Sequence, residues 1–150
     1  MKIQELKLDS QLLELLTLDI DELKSRLSKI NHNQEPRVPT GSCYEYACRL
    51  LLGRGMAHPT FGNLQDECGD IDFTNATLVH GRPSGNQYEN GHAWVEVDDL
   101  VIDPSIKPCY ITLRESYYES GGINEADSER YTSDEAFDAL CKFQHWGDWR

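Results

Sequence analysis

Between Gly91 and Pro104 the chain carries the pattern that most restricts its fold. Gly91-His92-Ala93-Trp94-Val95-Glu96-Val97 alternates residue by residue, Asp98-Asp99 follows, and Leu100-Val101-Ile102-Asp103 runs to a proline. A period of two marks a β-strand, and Pro104 ends the second run because it cannot donate to a ladder. A two-residue turn at Asp98-Asp99 sets Val97 opposite Leu100, Val95 opposite Ile102 and Trp94 opposite Asp103. Every apolar pair then falls on one face. His92, Trp94 and Glu96 stand on the other, with Asp103 one diagonal step from His92, about 7–8 Å between Cβ atoms. A three-residue turn would pair Val95 with Asp103 and bury a carboxylate among apolar side chains, which is costly. Turn parity alone therefore predicts a His92–Asp103 pair.

A nucleophile for that pair lies upstream. Ser42-Cys43-Tyr44-Glu45 has capping-box spacing, which predicts Ser42 as N-cap, Glu45 at N3 and Cys43 in the first turn of a helix. Cys43, Ala47, Leu50 and Leu51 make its apolar stripe, and Gly53 or Gly55 ends it. A thiol in a first helical turn faces the positive end of the macrodipole, which favours thiolate, the reactive form. An imidazole beside it would take its proton, and a carboxylate on the far ring nitrogen would hold the productive tautomer. An isolated Cys is more often a small core hydrophobe. Cys48, Cys68, Cys109 and Cys141 take that reading, and His32, His58, His80 and His145 are read as ordinary packed or surface residues.

Taken together, Gly41-Ser42-Cys43 opening a helix, the strand Ala76-Thr77-Leu78-Val79-His80-Gly81, the strand Gly91 to Val97, and Ile102-Asp103-Pro104 resemble the core of the transglutaminase-like branch of papain-fold thiol enzymes. The resemblance covers about Thr40 to Ser105. It implies a catalytic Cys43, His92 and Asp103, and a small antiparallel sheet with the nucleophile helix packed on it. Family members often carry a Trp beside the nucleophile, where this chain has Tyr44. For the oxyanion hole, the backbone N–H of Cys43 is the first donor. Gln34 stands upstream, where papain-like enzymes place a Gln. Tyr44 and Trp94 are the candidate substrate-lining residues, the latter from the His92 face. The implied activity is a cysteine hydrolase acting on an amide or acyl bond through a thioester, as a peptidase, amidase or deamidase. A transglutaminase-type acyltransferase and a catalytically inactive papain-like binding module are the alternatives.

Charge narrows the partners. With 14 Lys and Arg against 26 Asp and Glu, the net charge is −12, and no basic run exists to hold nucleic acid or an anionic membrane. A peptide, protein or small amide remains the expected substrate. No apolar stretch reaches the roughly 20 residues of a membrane span, and five irregularly spaced cysteines suit reduced thiols, so a cytoplasmic protein is expected. No CxxC pair or phosphate-binding loop is present, so no metal and no cofactor are expected; zinc on Cys43, His92 and Asp103 is the lesser reading.

The whole chain reads as one α+β domain, residues 1–150, with helices at both ends of a small antiparallel sheet. Residues 1–31 carry two short helices, 40–105 the catalytic core and 106–150 a C-terminal extension. Residues 31–41 read as a loop, 56–75 as a surface excursion and Glu115 to Glu129 as a solvated acidic face. Thr132-Ser133-Asp134-Glu135 starts a helix bearing Ala136, Phe137, Leu140 and Cys141, and the aromatic tail from His145 to Trp149 is expected to pack over it.

Overall fold

Strand β3, His92–Val97, and strand β4, Leu100–Asp103, form the predicted hairpin in the predicted register, with Val97 opposite Leu100 and Val95 opposite Ile102. Asp98 takes a left-handed conformation, φ 52°, as such a turn demands. The computed structural model describes residues 34–37, 42–69, 71–84 and 91–149. The expected N-terminal helices lie outside them.

Around the hairpin, β2 (Thr77–Gly81) pairs antiparallel with β3, β6 (Tyr110–Leu113) with β4, and β7 (Glu129–Tyr131) with β2. The sheet order is β6-β4-β3-β2-β7. A second, two-stranded sheet joins β1 (Glu35–Pro36) to β5 (Ile106–Lys107). With helices α1 (Cys43–Leu52), α2 (Arg114–Gly121) and α3 (Ser133–Phe143), the described residues form a mixed α+β fold.

The apolar face of the sheet carries Leu78, Ala93, Val95, Val97, Leu100 and Ile102, and α1 lays Tyr46, Ala47, Leu50 and Leu51 against it. The opposite face is covered as well, and β3 is buried along its whole length. Val79, Trp94 and Val101 form a second cluster there, covered by Tyr117 and Tyr118 of α2 and by Ile123. The acidic side chains from Glu115 to Glu129 are exposed, as expected, while Tyr117, Tyr118 and Ile123 of the same stretch cover this second layer. Likewise, 56–75 is not a mere surface excursion. Leu64, Cys68, Ile71 and Phe73 enter the main core from 3-10 turns and bends, whose irregular spacing shows no helical or strand period.

Helix α3 begins as the sequence predicts: the Thr132 side chain accepts from Glu135 N–H, and the Glu135 carboxylate accepts from Thr132 N–H. Replacing Thr132 with alanine should cost about 1 kcal/mol, seen as a lower denaturation midpoint with unchanged slope. The aromatic tail shares the main core cluster with Ala136, Ala139 and Leu140 of α3 and reaches further, onto the sheet. Trp149 is buried in the main core, its ring 5.0 Å from both His80 and Tyr131.

Residues 34–37 are a strap rather than a loop. Arg37 donates its N–H to the Ser105 carbonyl at 2.9 Å and its Nε to the Pro104 carbonyl, while its guanidinium forks onto Glu67. The guanidinium also lies 4.7 Å from the Phe61 ring centroid. This buried arginine therefore pins the turn that immediately follows Asp103.

Candidate active site

Cys43 is the first residue of α1, and the helix begins there without the predicted capping box. Ser42 makes no side-chain cap, and Glu45 reaches along the helix to Arg49, 2.8 Å away. The helix is closed instead by its own backbone, with Tyr46 N–H donating to the Ser42 carbonyl at 3.0 Å. The missing cap leaves the first-turn amides around Cys43 without a side-chain acceptor from Ser42, as an anion-binding helix mouth requires.

His92 opens β3 directly after Gly91, whose φ of +88° favours glycine. Space makes the same demand, since a Cβ on Gly91 would come within 2.5 Å of the Tyr44 hydroxyl. Opposite His92 in the ladder stands Gly81, where a Cβ would lie 2.3 Å from the Trp94 ring. Two glycines, one beside His92 and one opposite it, thus make room for the Tyr44 hydroxyl and the Trp94 ring.

The ring of His92 has two polar partners. Its Nε2 lies 2.9 Å from Asp103 Oδ2, and the Cys43 thiol acts on the ring closely enough to help raise its pKa. With Nε2 committed to the carboxylate, Nδ1 is the ring nitrogen left for sulfur. Asp103 is itself saturated. Its Oδ2 also accepts from the Tyr117 hydroxyl at 2.7 Å, and its Oδ1 accepts from Ser105 N–H at 3.0 Å and Ser105 Oγ at 2.6 Å. Parity reasoning missed both supports. Ser105 carried a signal, since an Asp commonly binds the backbone two residues on; Tyr117 carried none, because nothing local places α2 over the hairpin.

Burial and charge act in opposite senses here. Burial alone would lower the pKa of His92, but the hydrogen bond and negative charge of Asp103, then those of Cys43, push it up to about 10. Burial would raise Asp103, and the hydrogen bond and charge of His92 with the Ser105 donors hold it below its ordinary value. A histidine held protonated in the fold stabilises it fully below its unfolded pKa of 6.5 and loses that contribution as the pH rises towards 10. The carboxylate contributes above its ordinary value of 3.8 and loses its share as the pH falls through its lowered folded value. The stability gap between the native protein and Asp103→Asn should therefore be widest between those limits and shrink at both ends. A gap that stays constant from strongly acidic to strongly alkaline denaturant titrations would contradict this.

The remaining candidates fall apart spatially. Tyr44 stays beside the site, its ring edge-on to His80 at 4.8 Å. Gln34 is engaged elsewhere: its Nε2 donates to the carbonyls of Pro108 at 3.0 Å and Cys109 at 3.3 Å, fastening the strap rather than facing an oxyanion. Trp94 is fully buried under α2, so it supports the site from within and lines no surface cleft. Its indole N–H donates to Glu96 at 2.9 Å, and Glu96, buried rather than solvated, also receives Tyr118, Arg130 and Arg114. Burial pushes the Cys48 thiol up to about 12, as suits a packed residue.

Among the described residues, no group of three or more His, Cys, Asp or Glu is placed to share a metal ion, and no helix is long and apolar enough to cross a membrane. Compared with protein-family models, with curated proteins and with solved structures, the chain has no significant match.

Proposed function

We propose that this protein is a thiol hydrolase that cleaves an amide or acyl bond through a covalent thioester, as the transglutaminase-like pattern of its sequence implies. The observation that carries this reading is the continuous chain of contacts from the Cys43 thiol through the His92 ring to the Asp103 carboxylate.

In this mechanism the Cys43 sulfur attacks the substrate carbonyl carbon, and the oxyanion is met by free amides at the mouth of α1. Protonated His92 gives its proton to the departing amine as the C–N bond breaks, which leaves a thioester on Cys43. A water molecule then attacks the thioester, His92 takes its proton, the C–S bond breaks, and the acid product departs as the Cys43 thiolate is restored beside protonated His92. Asp103 stays ionised throughout and holds the ring, with Ser105 and Tyr117 holding Asp103.

Trapping tests this directly. Exposure to a panel of peptide and acyl electrophiles, followed by peptide mass mapping, should give a single adduct at Cys43. The exposed Cys141 serves as the internal reference thiol. Labelling of Cys141 faster than Cys43 across the whole panel would overturn the reading.

A further inference from the structure

A cavity of about 340 Å³ opens behind the triad, between α2, β4, β6 and the segment after β2. Neither Cys43 nor His92 lines it, but Asp103 and Tyr117 do. The wall is otherwise built largely of hydroxyl side chains, from Ser84, Tyr110, Thr112, Ser116 and Ser120. Tyr117 spends its hydroxyl on Asp103, and Ser84 turns its own to the Gly122 carbonyl at 3.4 Å. The hydroxyls of Tyr110, Thr112, Ser116 and Ser120 form no hydrogen bond with any of the described residues. Four groups that can each donate and accept thus converge on one space.

Charge selects among ligands. Among the described residues no Lys, Arg or His lines the cavity, and the chain's net charge of −12 disfavours an anion further. Among the described lining residues a cation would find only Asp103, whose two oxygens already accept four hydrogen bonds and whose charge faces protonated His92. What remains is an uncharged ligand rich in hydroxyls. The volume stands at the lower end of the ~300–1,000 Å³ range of small-molecule sites, which suits one sugar ring rather than a chain.

We propose that this cavity is a second ligand site, distinct from the Cys43 centre, and that it binds a neutral polyhydroxyl molecule the size of a hexose. A ligand there touches the Tyr117 hydroxyl, the group that shares Asp103 Oδ2 with His92, so occupancy is felt at the triad.

The test needs no knowledge of the reaction. Trp94 packs against Tyr117 with ring centroids 5.2 Å apart and is fully buried, so its indole N–H resonance reports on the cavity wall and not on bulk solvent. Glucose should shift that resonance saturably. Glucosamine and glucuronate, the same ring with a positive or negative charge, should bind at least tenfold more weakly. Thr112→Val combined with Ser116→Ala, both at partly exposed positions, should weaken the glucose response at least fivefold; Ser116→Ala alone should weaken it less. Absence of a saturable shift with glucose, equal binding of the charged rings, or an undiminished response in a folded double variant would each overturn the proposal.

Discussion

Replacing His92 with alanine should slow iodoacetamide alkylation of Cys43 at neutral pH by about a hundredfold or more, within the 10²–10⁴ that a positioned proton-transfer group contributes. The sulfur reacts as thiolate, and in the native fold its neighbour is an imidazole whose pKa stands at about 10. A cationic partner is therefore in place throughout the neutral range, and the alanine variant removes it. Cys141 is exposed and far from this network in sequence, so its rate should be the same in both proteins. Asp103→Asn should produce a smaller loss and pull the alkaline limb of the Cys43 rate profile towards neutral pH, because the carboxylate is the chief cause of the raised histidine pKa. Equal Cys43 rates in the native and alanine proteins would remove the basis for calling Cys43 a nucleophile.

The second large effect is on stability. Arg37→Met should cost about 3–5 kcal/mol, the range for removing one partner of a buried ion pair, lowered towards 3 because the Glu67 side chain is 18% exposed. At this chain length each kcal/mol moves the melting temperature by roughly 2–4 °C, so a drop of about 6–12 °C is expected. The loss has three sources: Glu67 keeps its charge without its partner, the Pro104 carbonyl loses a donor, and the cation stacked on Phe61 disappears. Adding Glu67→Gln should recover part of it, since the stranded charge goes. A melting temperature within 2 °C of the native protein would show that the strap contributes little.

The parts of this fold that could be read from the sequence are those encoded over a few consecutive residues. The β3–β4 register follows from the period of two and a two-residue turn, which leave only one way to keep Asp103 out of the apolar face. The α3 start follows from Thr132 and Glu135, three residues apart. Helix α1 was legible in its apolar stripe, although the capping box expected at Ser42 gave way to the Glu45–Arg49 pair. Elements fixed by distant packing were not legible. Arg114–Gly121 has no buried residue and only a weak apolar stripe, so nothing local says that Tyr117 and Tyr118 will cover Trp94. Glu35–Pro36 carries a proline that argues against a strand and survives only in a two-residue ladder. For the candidate site, pairing across the hairpin was accessible because both partners lie within 12 residues; the hydroxyl of Tyr117 and the displacement of Gln34 to the strap depend on long-range contacts.

The strap has a consequence for how the molecule is assembled. It closes a loop from Arg37 to Pro104 and Ser105, so the turn holding Asp103 is finished only when a segment preceding Cys43 has come back to meet it. Closing so long a loop must precede its reward, although the entropic cost grows only slowly with length. A polypeptide emerging from the ribosome would already have exposed Cys43, and later His92, before that fastening is possible. The proposed thiol activity would then be one of the last properties the maturing molecule acquires, and a fragment starting at Cys43 would contain Cys43, His92 and Asp103 yet lack the brace that pins the turn after Asp103.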